Sequence, residues 1–178
     1  MRRGRRHARR GGGRPARGVG GAPRVTVERE PADRRSPIGP VHHVGIVVRS
    51  IEKSLPRYGE LFGLAPDAAP QVLEAQGVRL CLLPTGRPPA ARLELIEPLD
   101  AESGVARYLA QRGGGLHHVC FVVGSVSDEL AYLATHAAEL IDTAPRAGAE
   151  GLVAFVHPRT LDGVLWELTD ARGTNEVR

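Results

Sequence analysis

Cysteine is scarce: Cys81 and Cys120 are the only two in 178 residues, too few for a disulfide framework. Both stand in apolar runs and read as reduced, buried small hydrophobes, which favours a cytosol-like compartment. Aromatic residues make up 4% of the chain, which argues against a platform for stacking bases. No apolar run approaches the ~18 residues of a membrane span. No apolar segment follows the N-terminal arginines, as a secretory signal requires. These absences predict a protein that neither crosses nor inserts into a membrane and works in the cytoplasm.

The charge is lopsided. The net value of +4 conceals a tail at 1–40 with 12 Arg against Glu28, Glu30 and Asp33, while 41–178 carries a balance of −5. The tail is Arg, Gly and Pro with almost no large apolar side chains, so it is expected to be disordered. If it is an organellar transit peptide, the destination is the mitochondrial matrix, although Ser is rare and acids appear from Glu28 onward. The acidic remainder gives no reason to expect nucleic acid as a partner.

What the chain does have is a repeat. Val41-His42-His43-Val44-Gly45-Ile46-Val47-Val48 returns 75 residues later as Leu116-His117-His118-Val119-Cys120-Phe121-Val122-Val123, with five of eight positions identical. Each copy is rich in β-branched residues and reads as a buried strand. Ser50 caps a helix expected over 51–62, in which Pro56 predicts a kink or a short first turn, and Gly63 stops it. Strands follow over 78–83 and 92–97, with a weaker one near 70–74, then a short helix over 103–111 closed by three glycines. After the second copy of the repeat the order returns. A helix capped by Ser125 or Ser127 runs to about residue 140, a weak strand lies near 141–143, and strands cover 152–157 and 163–169. The pattern predicts an α+β fold of two paired β-α-β-β-β modules, 41–99 and 116–170, within one domain at 41–170, and a polar end at 171–178.

The repeat extends to chemistry. Glu94 in Arg92-Leu93-Glu94-Leu95 and Glu167 in Leu165-Trp166-Glu167-Leu168 stand 73 residues apart, so each module offers one His from its first strand and one Glu from its last. A carboxylate buried in an apolar strand is costly unless paired or metal-bound. Two imidazoles and two carboxylates, His43, Glu94, His118 and Glu167, suit an octahedral divalent ion with two open positions, with Co, Mn, Ni or Fe as suitable as Zn. The plain alternative is that the glutamates face water and the histidines are satisfied core residues. Two-residue alternation places His42 and His117 on the opposite face from His43 and His118, as packing or supporting groups. His157, before Pro158 at a strand end, is read as structural, and His7 and His136 carry no signal.

These residues resemble the vicinal oxygen chelate superfamily and, within it, the methylmalonyl-CoA epimerases. The motifs that carry the resemblance are His42–Val48, Gln76-Gly77-Val78, Leu93-Glu94-Leu95-Ile96-Glu97-Pro98-Leu99, Gly115-Leu116-His117-His118, and Phe155-Val156-His157-Pro158 followed by Gly163–Leu168. The resemblance implies a cavity around a divalent metal held by His43, Glu94, His118 and Glu167. It implies an acyl-CoA substrate, and proton abstraction α to the thioester through an enolate that the metal stabilises as a Lewis acid. It also implies a homodimer. Glu167, with Glu94, is the expected acid/base. Leu80 stands where some family members carry a second acid/base glutamate, with Glu74 a nearby alternative, and Arg92, Arg112 and Arg146 are the basic residues available to CoA phosphates. Two other readings remain open: a lactoylglutathione lyase-like or extradiol dioxygenase-like metalloenzyme, and a metal-free ligand-binding or resistance module.

Overall fold

The computed structural model describes residues 38–88 and 90–171. The expectations for 1–37 and 172–178 lie outside them. Eight strands form one curled mixed sheet in the order β2-β3-β4-β1-β5-β8-β7-β6. In chain order the elements are β1 (Val41–Val47), α1 (Ile51–Phe62), β2 (Gln71–Leu73), β3 (Val78–Pro84), β4 (Arg92–Pro98), α2 (Gly104–Arg112), β5 (Gly115–Val122), α3 (Val126–Thr135), β6 (Arg146–Ala147), β7 (Leu152–Val156) and β8 (Leu165–Thr169). The two halves repeat strand for strand: β1 runs parallel to β4 and β5 parallel to β8, and β1 meets β5 antiparallel at the centre.

Alternation in the strands sorts their side chains onto two faces. On one face Leu93 and Leu95 of β4, with Cys81 and Leu83 of β3, pack beneath α1 around Ile51. The equivalent face of the second half buries Ala154, Val156 and Leu168 beneath Val126 and Leu130 of α3. The opposite face carries Glu94 and Glu167 and lines a cavity, closed at one end where Val105, Tyr108 and Leu109 of α2 pack on Val47, Val78 and Ile96.

Local signals act as expected at α1. The Ser50 hydroxyl accepts from the Lys53 amide, and Gly63 at φ 66° ends the helix. Pro56 lies within it, on the exposed side, and the helix runs on to Phe62. The Glu97 carboxylate accepts from the Ile51 amide at 2.8 Å and ties this helix start to β4. Two expectations are corrected in the second half. Helix α3 ends at Thr135 rather than near 140, because Ala137 turns left-handed at φ 56° and the Ala138 amide folds back onto the Leu133 carbonyl. The weak strand sought at 141–143 is absent: Leu140 makes a lone bridge to Val156, and the edge strand is Arg146–Ala147. Among the described residues no helix is long and apolar enough to cross a membrane.

Candidate metal centre

His43, Glu94, His118 and Glu167 come from β1, β4, β5 and β8, the four central strands, and all four are buried. Register sets them face to face: Glu94 pairs with Gly45 on β1 and Glu167 with Cys120 on β5, while His43 lies opposite Cys120 and His118 opposite Gly45. Their donor atoms converge. The Nε2 atoms of His43 and His118 are 3.0 Å apart. Glu167 Oε2 lies 3.2 Å from His43 Nε2 and 2.8 Å from His118 Nε2. Glu94 Oε2 lies 3.5 and 3.6 Å from the same two nitrogens. Donors bound at ~2.0–2.2 Å stand roughly 2.8–3.6 Å apart around one ion at octahedral or tetrahedral angles. Donor chemistry and spacing both fit a divalent metal.

Gly45 makes this convergence possible. A Cβ there would stand 2.3 Å from Cε1 and 2.7 Å from Nε2 of His118, far inside van der Waals contact with the imidazole. The pseudo-symmetric position holds Cys120, close enough to His42 and His43 to form a second buried cluster of potential donors. Burial, aided by the Glu167 and Glu94 charges, raises the Cys120 thiol well above its ordinary pKa, so it stays protonated.

The alternation argument fails at the neighbouring histidines. Between Val41 and His43 the β1–β5 register slips by one residue, and it slips back between Gly45 and Ile46, leaving His42 and His117 as the extra residues of two β-bulges. Bulging re-aims both rings, so His42 and His117 line the cavity beside His43 and His118 instead of facing away. His42 Nδ1 lies 2.8 Å from His43 Nδ1, and His117 Nδ1 lies 3.0 Å from His118 Nδ1. Burial lowers both outer histidines to pKa about 4, so they are neutral at physiological pH.

The two carboxylates are driven apart. Burial, reinforced by repulsion from Glu167, pushes Glu94 up. Burial also opposes ionisation of Glu167, but hydrogen bonds from His118 and His43 outweigh it and hold that carboxyl low. Burial works against charge on His43 as well, and the Glu94 and Glu167 carboxylates overcome it, raising its pKa above 6.5.

The cavity holds about 300 Å³, at the small end for a ligand pocket. Its walls include Leu80, Val78, Ile96, Phe155 and Arg146. Leu80 is buried there, so β3 presents no carboxylate. Glu74 is exposed at the start of a 3₁₀ turn and lies off the cavity wall. Arg112 is exposed at the end of α2, and His157 caps the turn after β7 by accepting from the Arg159 amide at 3.1 Å. One site residue escaped the sequence reading. Glu150, from the loop between β6 and β7, reaches the cavity and forms a two-point ion pair with Arg92, and Arg92 Nη2 lies 2.7 Å from His42 Nε2. A lone Glu in a turn-rich connection carries no periodicity that could have flagged it.

Comparison with known proteins identifies the family. Residues 42–155 match the Glyoxalase/Bleomycin resistance protein/Dioxygenase superfamily. The chain belongs to this superfamily. Among superfamily relatives, an uncharacterized protein of Bacillus subtilis, YqjC, is 39% identical over 132 residues, covering 74% of this chain and 91% of the relative. The ethylmalonyl-CoA/methylmalonyl-CoA epimerase of Cereibacter sphaeroides is 32% identical, with coverage of 74% and 97%. A Streptomyces coelicolor methylmalonyl-CoA epimerase solved with 2-nitronate-propionyl-CoA superposes with a TM-score of 0.70 at 29% identity, covering 74% of this chain and 94% of that one. The α+β fold inferred from the repeat is therefore the fold of this superfamily.

Proposed function

We propose that this protein is an isomerase that epimerises methylmalonyl-CoA at C2. The observation that carries the reading is the convergence of the Glu94 and Glu167 carboxylates on the Nε2 atoms of His43 and His118, each within 3.6 Å of both nitrogens, in a small cavity. The epimerases among its relatives support it. The four side chains would hold a divalent ion such as Co, Mn, Ni or Zn, which, when bound, supplies Lewis-acid stabilisation of negative charge developing on the thioester oxygen. The chain's own residues do the rest. Val78, Leu80 and Ile96 enclose the acyl group and exclude water. Glu167 takes the C2 proton as the base, with Glu94 beside it as the partner acid/base carboxylate. Arg146, on the cavity wall, is placed to meet an anionic part of the CoA. The protein acts as a homodimer in the cytoplasm.

Leu80 favours a second reading. With an apolar wall on β3, one carboxylate removes and returns the proton on the same face, as a lactoylglutathione lyase-like member of the family would. One assay separates the two. The metal-loaded protein is incubated with (R)- or (S)-methylmalonyl-CoA in D2O, and deuterium at C2 is followed together with configuration. Deuterium entry with inversion is expected. Entry with retention selects the second reading, and no entry in protein shown to hold metal rejects both.

A further inference from the structure

Ligation through His43 Nε2 demands a lone pair on that nitrogen, so the ring's proton must sit on Nδ1. The partner of Nδ1 is His42 Nδ1, 2.8 Å away, which must then accept. A neutral His42 accepting at Nδ1 carries its own proton on Nε2. Two groups face that nitrogen: Arg92 Nη2 at 2.7 Å and Glu150 Oε2 at 3.4 Å. A guanidinium only donates and a carboxylate only accepts. An Nε2–H on His42 therefore suits Glu150 and conflicts with Arg92. The opposite arrangement is equally complete. With Arg92 donating to His42 Nε2, the His42 proton sits on Nδ1 and is donated to His43 Nδ1. The His43 proton is then on Nε2, aimed at Glu167 Oε2 3.2 Å away, where it blocks an ion.

We propose that Arg92 and Glu150 are positioning residues that select the tautomer of His43 through His42. Arg92 holds the ring in its non-ligating form and Glu150 holds it in its ligating form. Ion entry requires Arg92 to leave His42 Nε2 while Glu150 stays. At a pH above the raised pKa of His43, where the test is run, each ring keeps one proton in both states, and only the nitrogen that bears it changes. The device belongs to one half of the fold: at the register position where His43 meets Arg92, His118 meets Leu165. It rests on the reading that the site takes a divalent ion.

The test is ¹⁵N–¹H NMR of the full chain with labelled histidine, which identifies the protonated nitrogen of His43, together with zinc affinity by chelator competition. In the metal-free wild type His43 is expected to carry its proton on Nε2, and in the zinc-loaded protein on Nδ1. Metal-free Arg92→Leu is expected already to show Nδ1–H and to bind zinc several-fold more tightly. Glu150→Ala is expected to bind it about 10–100-fold more weakly. Simple charge effects would move the two affinities in those directions without moving the tautomer, so the NMR result decides. Nδ1–H on His43 in the metal-free wild type, or an unchanged tautomer in Arg92→Leu, overturns the proposal. Should Arg92→Leu not fold, Glu150→Ala carries the test: its metal-free form is expected to show Nε2–H on His43 with weakened zinc binding, and Nδ1–H there, or an unchanged zinc affinity, overturns the proposal. Failure of the wild type to bind zinc, cobalt or manganese overturns the metal reading itself, a separate result from the metal-free tautomer.

Discussion

The first half of the sheet, β1–β4, and the second, β5–β8, deliver the same pair of side chains to the cavity from matching strands, yet they support them differently. His43 is backed by a charged chain, His42 with Arg92 and Glu150. His118 is backed by His117, whose ring packs edge-on against Tyr108 at 4.8 Å, and its own ring meets Phe155 edge-on at 5.6 Å. Opposite His118 stands Gly45, whose missing side chain makes room for the ring, and opposite His43 stands Cys120, which fills that space. If the four side chains share one ion, as proposed, that ion fixes the donors while the residues behind them are free to diverge, because an imidazole can be oriented by ions or by packing. The divergence reaches the carboxylates: Glu94 of the first half is pushed towards its neutral form and Glu167 of the second towards its ionised form.

The sharpest way to break the comparison is to neutralise each carboxylate in turn. Glu167→Gln is expected to slow C2 deuterium exchange about 10³-fold, within the range for loss of a general base. Glu94→Gln should cost about tenfold in exchange, since an amide oxygen still reaches the ion and Glu167 remains to take the C2 proton, although the partner acid/base is lost. Equal losses would abolish the functional distinction between the halves. The next effect is steric. Gly45→Ala drives a methyl against the His118 ring and should weaken metal binding about 10–100-fold. Cys120→Ala, at the equivalent position, should leave affinity within a few-fold and lower only Tm. Isothermal titration calorimetry on both variants checks the contrast.

The smallest effect is on stability against pH. Without metal, His43 and Glu94, both in the first half, have pKa values raised above 6.5 and 4.5. The stability that His43 gains from its carboxylate partners is fully present below pH 6.5 and lost as pH climbs through its elevated value, and ionisation of Glu94 acts in the same direction. Glu167, in the second half, is held low, to about 2, so its contribution is present above 4.5 and fades as pH falls towards that value. Urea midpoints of chelator-treated protein should therefore peak between about pH 4.5 and 6.5. Added zinc should remove the alkaline decline, because the ion takes over the role of the proton. A flat alkaline limb without metal would contradict the charge pattern assigned to the first half.

Much of this was legible in the sequence because the duplication was. Two glutamates standing 73 residues apart in apolar strands flagged themselves by their burial cost, and two histidines at one offset pointed to the same place. The features that stayed hidden depend on backbone departures that composition does not encode. The bulges at His42 and His117 exist because β1 and β5 exchange one extra residue each, a matter of pairing between distant segments. The early end of α3 depends on Ala137 adopting a conformation usually left to glycine. Glu150 finds Arg92 58 residues away only after both halves have curled around the cavity.

The central β1–β5 seam has a consequence for how the chain folds. His43 and His118 lie 75 residues apart along the chain and 3.0 Å apart in space. Each half can zip its own hairpins from local contacts, but the seam must close a long loop, the slow and entropically expensive event in such a topology. The donor cluster cannot exist before that closure. Capture of a coloured ion such as cobalt during refolding would therefore time the last long-range step of folding, whereas circular dichroism would record the hairpins that precede it.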